Sequence, residues 1–272
     1  MGRRLALPCV RARGSDLELI TRGAITHIAD RDGVAALVVE RDYLLTHLID
    51  ALTRSDPPAD LVFKGGSALR LCYFTDFRYS ADLDFNVSAE RLEQAQTALG
   101  QAADRCRDEH GFPGINVDLE ERRIDFVGPL GRARPVKLDL ATDELVIDTT
   151  RRPLVPRYDD QSNASPHVLV YSLQEVAAEK LRCVIQRLQC RDLFDLHRVF
   201  VEEALNVDDV WESFERKTVH KGLDPAHFGA KLDERLPHYE RRWNDELQTH
   251  LGAVPDFDRL VRELRRALRA KL

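Results

Sequence analysis

Gly65-Gly66-Ser67, followed after one short helix's worth of chain by Asp82-Leu83-Asp84, combines residue types that can cradle a phosphate with a pair that can hold a metal ion. Glycines let backbone N–H groups approach an anion closely, and a helix start adds unpaired donors and the positive end of its dipole. Such a turn suits the oxygens of a triphosphate. From Ala81 to Val87 polarity alternates, which puts Asp82, Asp84 and Asn86 on one face of a strand and Leu83, Phe85 and Val87 on the other. Two carboxylates roughly 6 to 7 Å apart along a strand repel each other and raise each other's pKa unless a cation compensates. Magnesium, or manganese in its place, is a natural compensator, because magnesium takes one or two carboxylates together with substrate phosphates. A third acid is available in Val136-Lys137-Leu138-Asp139-Leu140, where alternation places Lys137 and Asp139 together, opposite the three apolar residues. A lone Gly-Gly-Ser is usually a plain turn and a lone Asp-x-Asp is usually solvated. Their order, spacing and strand alternation together point to nucleotide chemistry.

These groups need elements to position them. Leu61 to Lys64 is a short apolar run that the two glycines must end, and Ser67 is placed to cap a helix over Ala68 to Phe74. Arg78 is a phosphate candidate, with an ion pair to Asp76 as its simpler role. Ser80 lies two residues before Asp82, on the same face if the strand begins that early. Its phosphorylation would set nearly two negative charges beside the carboxylates and compete for cation and NTP. Further on, Ala177, Leu181, Val184, Ile185 and Leu188 form a helical apolar stripe, with Lys180 off it and therefore expected outside the core. Along one straight helix Lys180 and Asp195 would be about 22 Å apart, so for both to serve one substrate a break is expected between Gln189 and Arg191. A second helix then starts near Asp192, whose side chain suits a helix N-terminus and is read as structural.

At these residues the chain resembles nucleotidyltransferases of the DNA polymerase β type. Within them, Lys64-Gly-Gly-Ser-Ala-Leu, Arg78-Tyr-Ser-Ala-Asp-Leu-Asp-Phe85, Val136-Lys-Leu-Asp139, Glu179-Lys-Leu-Arg182 and Arg191-Asp-Leu-Phe-Asp-Leu196 look like the AbiEii family of toxins, including the MenT-like enzymes. The resemblance implies a toxin of a toxin–antitoxin pair that moves a nucleotide from an NTP onto RNA, in relatives the tRNA 3′ end, and so blocks translation. Carried over, Gly65, Gly66, Ser67, Arg78 and Lys180 would bind the NTP. Asp82, Asp84 and Asp139 would hold metal, and Lys180 and Asp195 would join them as catalytic residues. A cognate antitoxin is the implied partner. A transferase acting on a protein or a small molecule such as an antibiotic shares the same metal site and remains an alternative. A non-catalytic binding module is disfavoured by acids at all three positions.

Composition is that of an ordinary globular protein, and no apolar run approaches the roughly 20 residues of a membrane span. Met1 to Arg13 lacks the apolar centre of a secretory signal, so a cytoplasmic location is expected. Five cysteines, Cys9, Cys72, Cys106, Cys183 and Cys190, are odd in number and without C-x-x-C spacing, which argues for reduced thiols rather than disulfides or zinc. A net charge of −6 excludes a wholly basic nucleic-acid binder. Local basic patches exist nonetheless: Arg122, Arg123, Arg132, Arg134 and Lys137 flank the third acid, and the last helix carries Arg259, Arg262, Arg265, Arg266, Arg269 and Lys271.

The expected fold is α/β (α+β): a nucleotidyltransferase core with a mixed sheet plus a helical C-terminal domain, with NTP in the cleft between them. An N-terminal helical extension spans residues 1–58, with helices at about 15–30 and 38–55 ended by Ser55-Asp56-Pro57-Pro58. The core spans 59–150, with strands near 115–127, 135–141 and 144–149 and a charged helix from Ser88 to Glu109. Residues 151–170 read as a linker or surface loop, and 171–272 as helical.

Overall fold

The computed structural model describes residues 20–110, 112–131, 135–161 and 167–272. Cys9, Arg132 and Arg134 lie outside them, as does the start of the chain.

Among the described residues seven strands form one mixed sheet: β1 (Val62–Lys64), β2 (Asp82–Asn86), β3 (Asn116–Asp118), β4 (Arg123–Asp125), β5 (Val136–Ala141), β6 (Thr149–Pro153) and β7 (His167–Tyr171), in the order β3-β4-β5-β2-β1-β7-β6. The β2–β5 and β1–β7 pairs are parallel and the rest antiparallel. The expected mixed direction is therefore observed. One face is apolar. Phe63 and Phe85, paired across β1 and β2, stack with ring centroids 5.2 Å apart, and each ring buried this way contributes about 1.5–3 kcal/mol. With Leu83, Val136 and Leu138 they are covered by α2 (Ala36–Thr53) and α4 (Leu92–His110), through Leu44, Leu48, Leu52, Ala95, Leu99 and Ala102. Strand alternation then leaves Asp82, Asp84 and Asp139 on the other face.

Between β1 and β2 a short helix, α3 (Gly65–Ala68), runs on into a wide π-type turn over Leu69–Tyr73. The C-terminal half is helical: α5 (Leu173–Gln186), α6 (Cys190–His197), α7 (Asp208–His220), α8 (Phe228–Leu247) and α9 (Phe257–Ala267) enclose a second core around Leu181, Leu193, Phe214, Phe228 and Trp243. Ser172 caps the first of these helices, its Oγ accepting from the Glu175 N–H at 3.0 Å. In the N-terminal region, α1 (Arg22–Asp32) packs on α2 through Ile25, Ala29 and Val39, and α2 lies within two residues of its expected span at either end.

Two expectations need correction. The strand placed at 144–149 is shifted: the chain enters the sheet only at β6. The segment 151–170 also supplies most of β6 and all but the last residue of β7, so it is more than a linker or surface loop. The polar sequence of β6 reflects an edge position, where Arg and Pro are tolerated because one side of the strand has no partner. Arg157 pins the following stretch, donating to the carbonyls of Arg70 within the π-type turn and of Phe74 and Thr75 just after it. The described cysteines, Cys72, Cys106, Cys183 and Cys190, are free and buried. Among the described residues no helix is long and apolar enough to cross a membrane.

Candidate active site

Strand register assembles the acids. In the parallel β2–β5 pair Asp84 stands opposite Asp139, and Asp82 opposite Lys137, at the roughly 4.8 Å spacing of adjacent strands. Asp84 also faces Lys64 across the antiparallel β1–β2 pair. Three carboxylates from two neighbouring strands thus share one face, as the alternation required.

The Gly-Gly turn is shaped around two of its charged neighbours. Gly65 has φ +76°, in the left-handed region, and a Cβ there would lie 2.6 Å from Asp84 Oδ2. A Cβ on Gly66 would lie 2.5 Å from Arg78 Nη2 and 3.1 Å from Ser80 Oγ. Helix α3 starts at Gly65, with Lys64 as its N-cap residue and no side-chain cap bond, so the helix begins earlier than Ser67. Ser67 lies inside it, and its hydroxyl donates instead to the Asp82 carbonyl, tying the turn to β2. Ser80, at the entry to β2, is only 6% exposed.

Arg78 does not pair with Asp76. Its guanidinium, 1% exposed, grips Asp195 of α6 with two bonds, Nε–Oδ1 at 2.6 Å and Nη2–Oδ2 at 2.7 Å. Lys180 of α5 lies 2.7 Å from both Asp195 and Asp192, while Arg187 reaches Asp192 at 2.9 and 3.0 Å. The expected break between the helices occurs, over Arg187 to Gln189, and it folds Asp195 back onto Lys180. Lys180 is nevertheless buried, 6% exposed, contrary to the amphipathic reading. The stripe ignored that a lysine can enter the interior when two carboxylates meet it. Asp192 is structural as expected, but through Lys180 and Arg187 rather than as a cap. Burial alone would raise the Asp195 carboxyl, yet Arg78 and Lys180 hold it below the ordinary range; Asp192 is depressed in the same way by Lys180 and Arg187.

Asp84 behaves oppositely. Burial, then the neighbouring Asp82 charge, pushes it up to about 6, and Lys64 only partly offsets this. Negative charge at the strand face is therefore undercompensated, which suits a cation. Arginines turn toward the flanking acids: Arg191 Nη1 is 3.2 Å from Asp82 Oδ2, and Arg122 Nη1 is 3.8 Å from Asp139 Oδ1. Among the described residues no three acid, histidine or cysteine side chains converge closely enough to form a ready-made ion cage. A magnesium ion does not need one, since substrate phosphates and water complete its octahedron.

The sequence alone gives no role to Lys64, Glu179, Arg191 or His250. Lys64 is buried, with Nζ 3.7 Å from Glu179 Oε1, and a lysine closing an apolar strand is the signal that marks it. The His250 carbonyl accepts from the Tyr79 N–H at 2.9 Å. Burial, then the charges of Arg78 and Arg191, lowers the His250 imidazole to about 4. His250 comes from the loop after α8, and nothing local in the sequence points to it.

No curated protein matches the sequence. Among solved structures, MenT4, nucleotidyltransferase toxin Rv2826c from Mycobacterium tuberculosis H37Rv, superposes with a TM-score of 0.60 at 20% identity, covering 92% of this chain and 99% of that one. JHP933 from Helicobacter pylori superposes with a TM-score of 0.52 at 19% identity, covering 83% of this chain and 90% of that one. At these identities the likeness is one of fold. The family described as nucleotidyl transferase AbiEii toxin, type IV TA system, matches residues 47–267, from α2 through α9 and across every residue of the site, and the chain belongs to that family.

Proposed function

We propose that this nucleotidyltransferase toxin transfers a nucleoside monophosphate from an NTP to the 3′ end of an RNA, with tRNA as the foremost acceptor, and that a cognate antitoxin restrains it in the cytoplasm. The observation that carries the reading is the register of Asp84 against Asp139, with Gly65 pressed against the same Asp84 carboxylate.

Asp82 and Asp84 would hold magnesium or manganese, with Asp139 as third ligand, and the bound ion would supply charge neutralisation at the triphosphate and at the attacking oxygen. The backbone donors at the start of α3, over Gly65, Gly66 and Ser67, would face the triphosphate. Behind them Arg78, Lys180 and Arg187 form their ion pairs among the described residues with Asp192 and Asp195, three cations to two carboxylates. The surplus positive charge stabilises the NTP without any of these side chains leaving its partner. The acceptor hydroxyl attacks the α-phosphorus. A new P–O bond forms, the bond to the bridging oxygen breaks and pyrophosphate leaves, while Asp139 helps to activate the hydroxyl, either through the ion or as the base that takes its proton. Arg191 releases Asp82 as the site fills and is then free for phosphate.

Purified protein incubated with magnesium, each labelled NTP in turn and total cellular RNA tests this. Label on tRNA-sized RNA that is absent with Asp82→Asn or Asp84→Asn supports the reading. Label found only on protein or small molecules would redirect it to those acceptors.

A further inference from the structure

Resting on that reading, the inference concerns how the acceptor is held. The site is ordered across the sheet: Gly65 and Gly66 follow β1, Asp82 and Asp84 lie on β2, Asp139 lies on β5, and beyond it comes the β3–β4 turn that ends at Arg122. With the triphosphate at the glycine turn, the attacking hydroxyl must arrive from the Asp139 side. Whatever is attached to that hydroxyl then extends toward Arg122.

Two cations wait there. The Arg122 side chain is 74% exposed, and Asp139, at 3.8 Å, is its ion-pair partner among the described residues. Lys137 is exposed on the same face of β5 as Asp139, and its side chain has no ion pair or hydrogen bond among the described residues. Neighbouring Arg123 differs, being paired with Asp125 at 3.0 Å and Asp118 at 3.8 Å. On the triphosphate side the contrast is sharper, since Arg78 and Lys180 are buried and locked to Asp195.

Arg122 is also held in an unusual backbone state. Its φ is +50°, a left-handed value that glycine or asparagine adopts more readily than arginine. Its carbonyl accepts from the Leu138 N–H at 2.8 Å, one residue before Asp139, so the strained residue is fixed directly to the strand that carries the third acid. A backbone outlier kept beside an active-site acid is the kind of strain found at ligand clamps.

We propose that Arg122, assisted by Lys137, is a positioning residue that binds a backbone phosphate of the acceptor strand next to the attacking 3′ hydroxyl. The ligand class is a single-stranded polynucleotide end; a small-molecule or protein acceptor would have no phosphodiester to offer these side chains. When the strand binds, the Arg122 guanidinium exchanges Asp139 for phosphate, leaving that carboxylate free for the hydroxyl.

The test uses the full chain, a short fluorescent single-stranded RNA with a free 3′ hydroxyl, and the variants Arg122→Gly, Arg122→Lys and Lys137→Ala. Glycine relieves the positive φ, so Arg122→Gly removes the guanidinium without endangering the fold. Expected are RNA binding weakened about fivefold or more in Arg122→Gly, partial rescue in Arg122→Lys, and a logarithmic salt dependence shallower by about 0.7 for each lost contact. The KM for RNA rises while that for NTP stays put. Unchanged RNA binding and salt dependence in Arg122→Gly and Lys137→Ala would overturn the role of Arg122, as would a rise in KM for NTP alone. If wild-type protein neither binds nor labels RNA, the RNA reading itself fails, and this inference with it.

Discussion

Arg78 and Asp195 are 117 residues apart in sequence and joined by two short charge-assisted bonds, with the side chains 1% and 0% exposed. The pair fastens the approach to β2 onto α6, so the sheet face that carries the acids and the helices that carry the buried cations are one unit. Removing one partner of such a pair strands the other charge away from water, which costs about 3–5 kcal/mol. Asp195→Asn leaves both Arg78 and Lys180 short of a carboxylate. We expect it to lower unfolding free energy by about that amount in urea titrations and to reduce nucleotide transfer. A variant as stable as wild type would show that the pair is dispensable to the fold.

The glycine turn gives a sharper test because its two positions fail differently. Gly65→Ala places a methyl group 2.6 Å from the Asp84 carboxylate and demands a left-handed φ of an alanine. Loss of transfer is expected with a stability loss of about 1–3 kcal/mol. Gly66→Ala instead drives a methyl group against Arg78 Nη2 at 2.5 Å, so its damage should appear first as disruption of the Arg78–Asp195 pair. Combining Gly66→Ala with Asp195→Asn should then cost less than the sum of the two alone, which a double-mutant cycle measures.

Much of this site is local in sequence and therefore legible there. The alternation of Asp82 to Val87 and of Val136 to Leu140 fixes which side chains share a face, and the structure keeps both patterns. What alternation does not give is which strands are neighbours, so the pairing of Asp84 with Asp139 needed the fold. The same holds for Arg78, whose partner lies more than a hundred residues away, and for Lys180, which an apolar stripe alone assigns to the surface. β6 is hidden because an edge strand carries polar residues and proline, and β7 because its short apolar run follows directly on a polar, proline-containing stretch. His250 was invisible because only the loop after α8 brings it to Tyr79.

Asp84 makes stability depend on pH with a definite sign. In the unfolded chain it titrates near 3.8, and in the folded protein burial and the Asp82 charge raise it to about 6. Between those values the native state holds a proton that the unfolded chain releases, so stability falls as pH rises through the window. Asp192 and Asp195 act oppositely: held low in the native state, they lose their contribution as the solution is acidified. Urea titrations of metal-free protein between pH 4 and 7 should show the advantage of wild type over Asp84→Asn shrinking up to about pH 6 and levelling above it. Saturating magnesium should restore wild-type stability above pH 6 and leave Asp84→Asn unchanged. A difference between the two proteins that stays flat with pH would refute the assignment.

Ser80 is the remaining regulatory candidate, and its placement defines what modification there must do. Its hydroxyl sits 3.1 Å from the position of a Cβ on Gly66, at the turn proposed to receive the triphosphate, and is 6% exposed. A phosphoryl group would bring about −1.5 to −2 charges into that turn, beside Asp82 and Asp84, repelling NTP and drawing Arg78 away from Asp195. A kinase can reach the hydroxyl only if the stretch leading into β2 opens, so modification should also weaken the fold. Ser80→Glu is therefore expected to lower transfer at least about tenfold, equivalent to about 1.4 kcal/mol in the barrier, and to reduce thermal stability, while Ser80→Ala keeps activity within about a factor of three. Mass spectrometry after co-expression with the genomic partner checks the event itself. Loss of activity without phosphate on Ser80 would assign the restraint to direct contact instead.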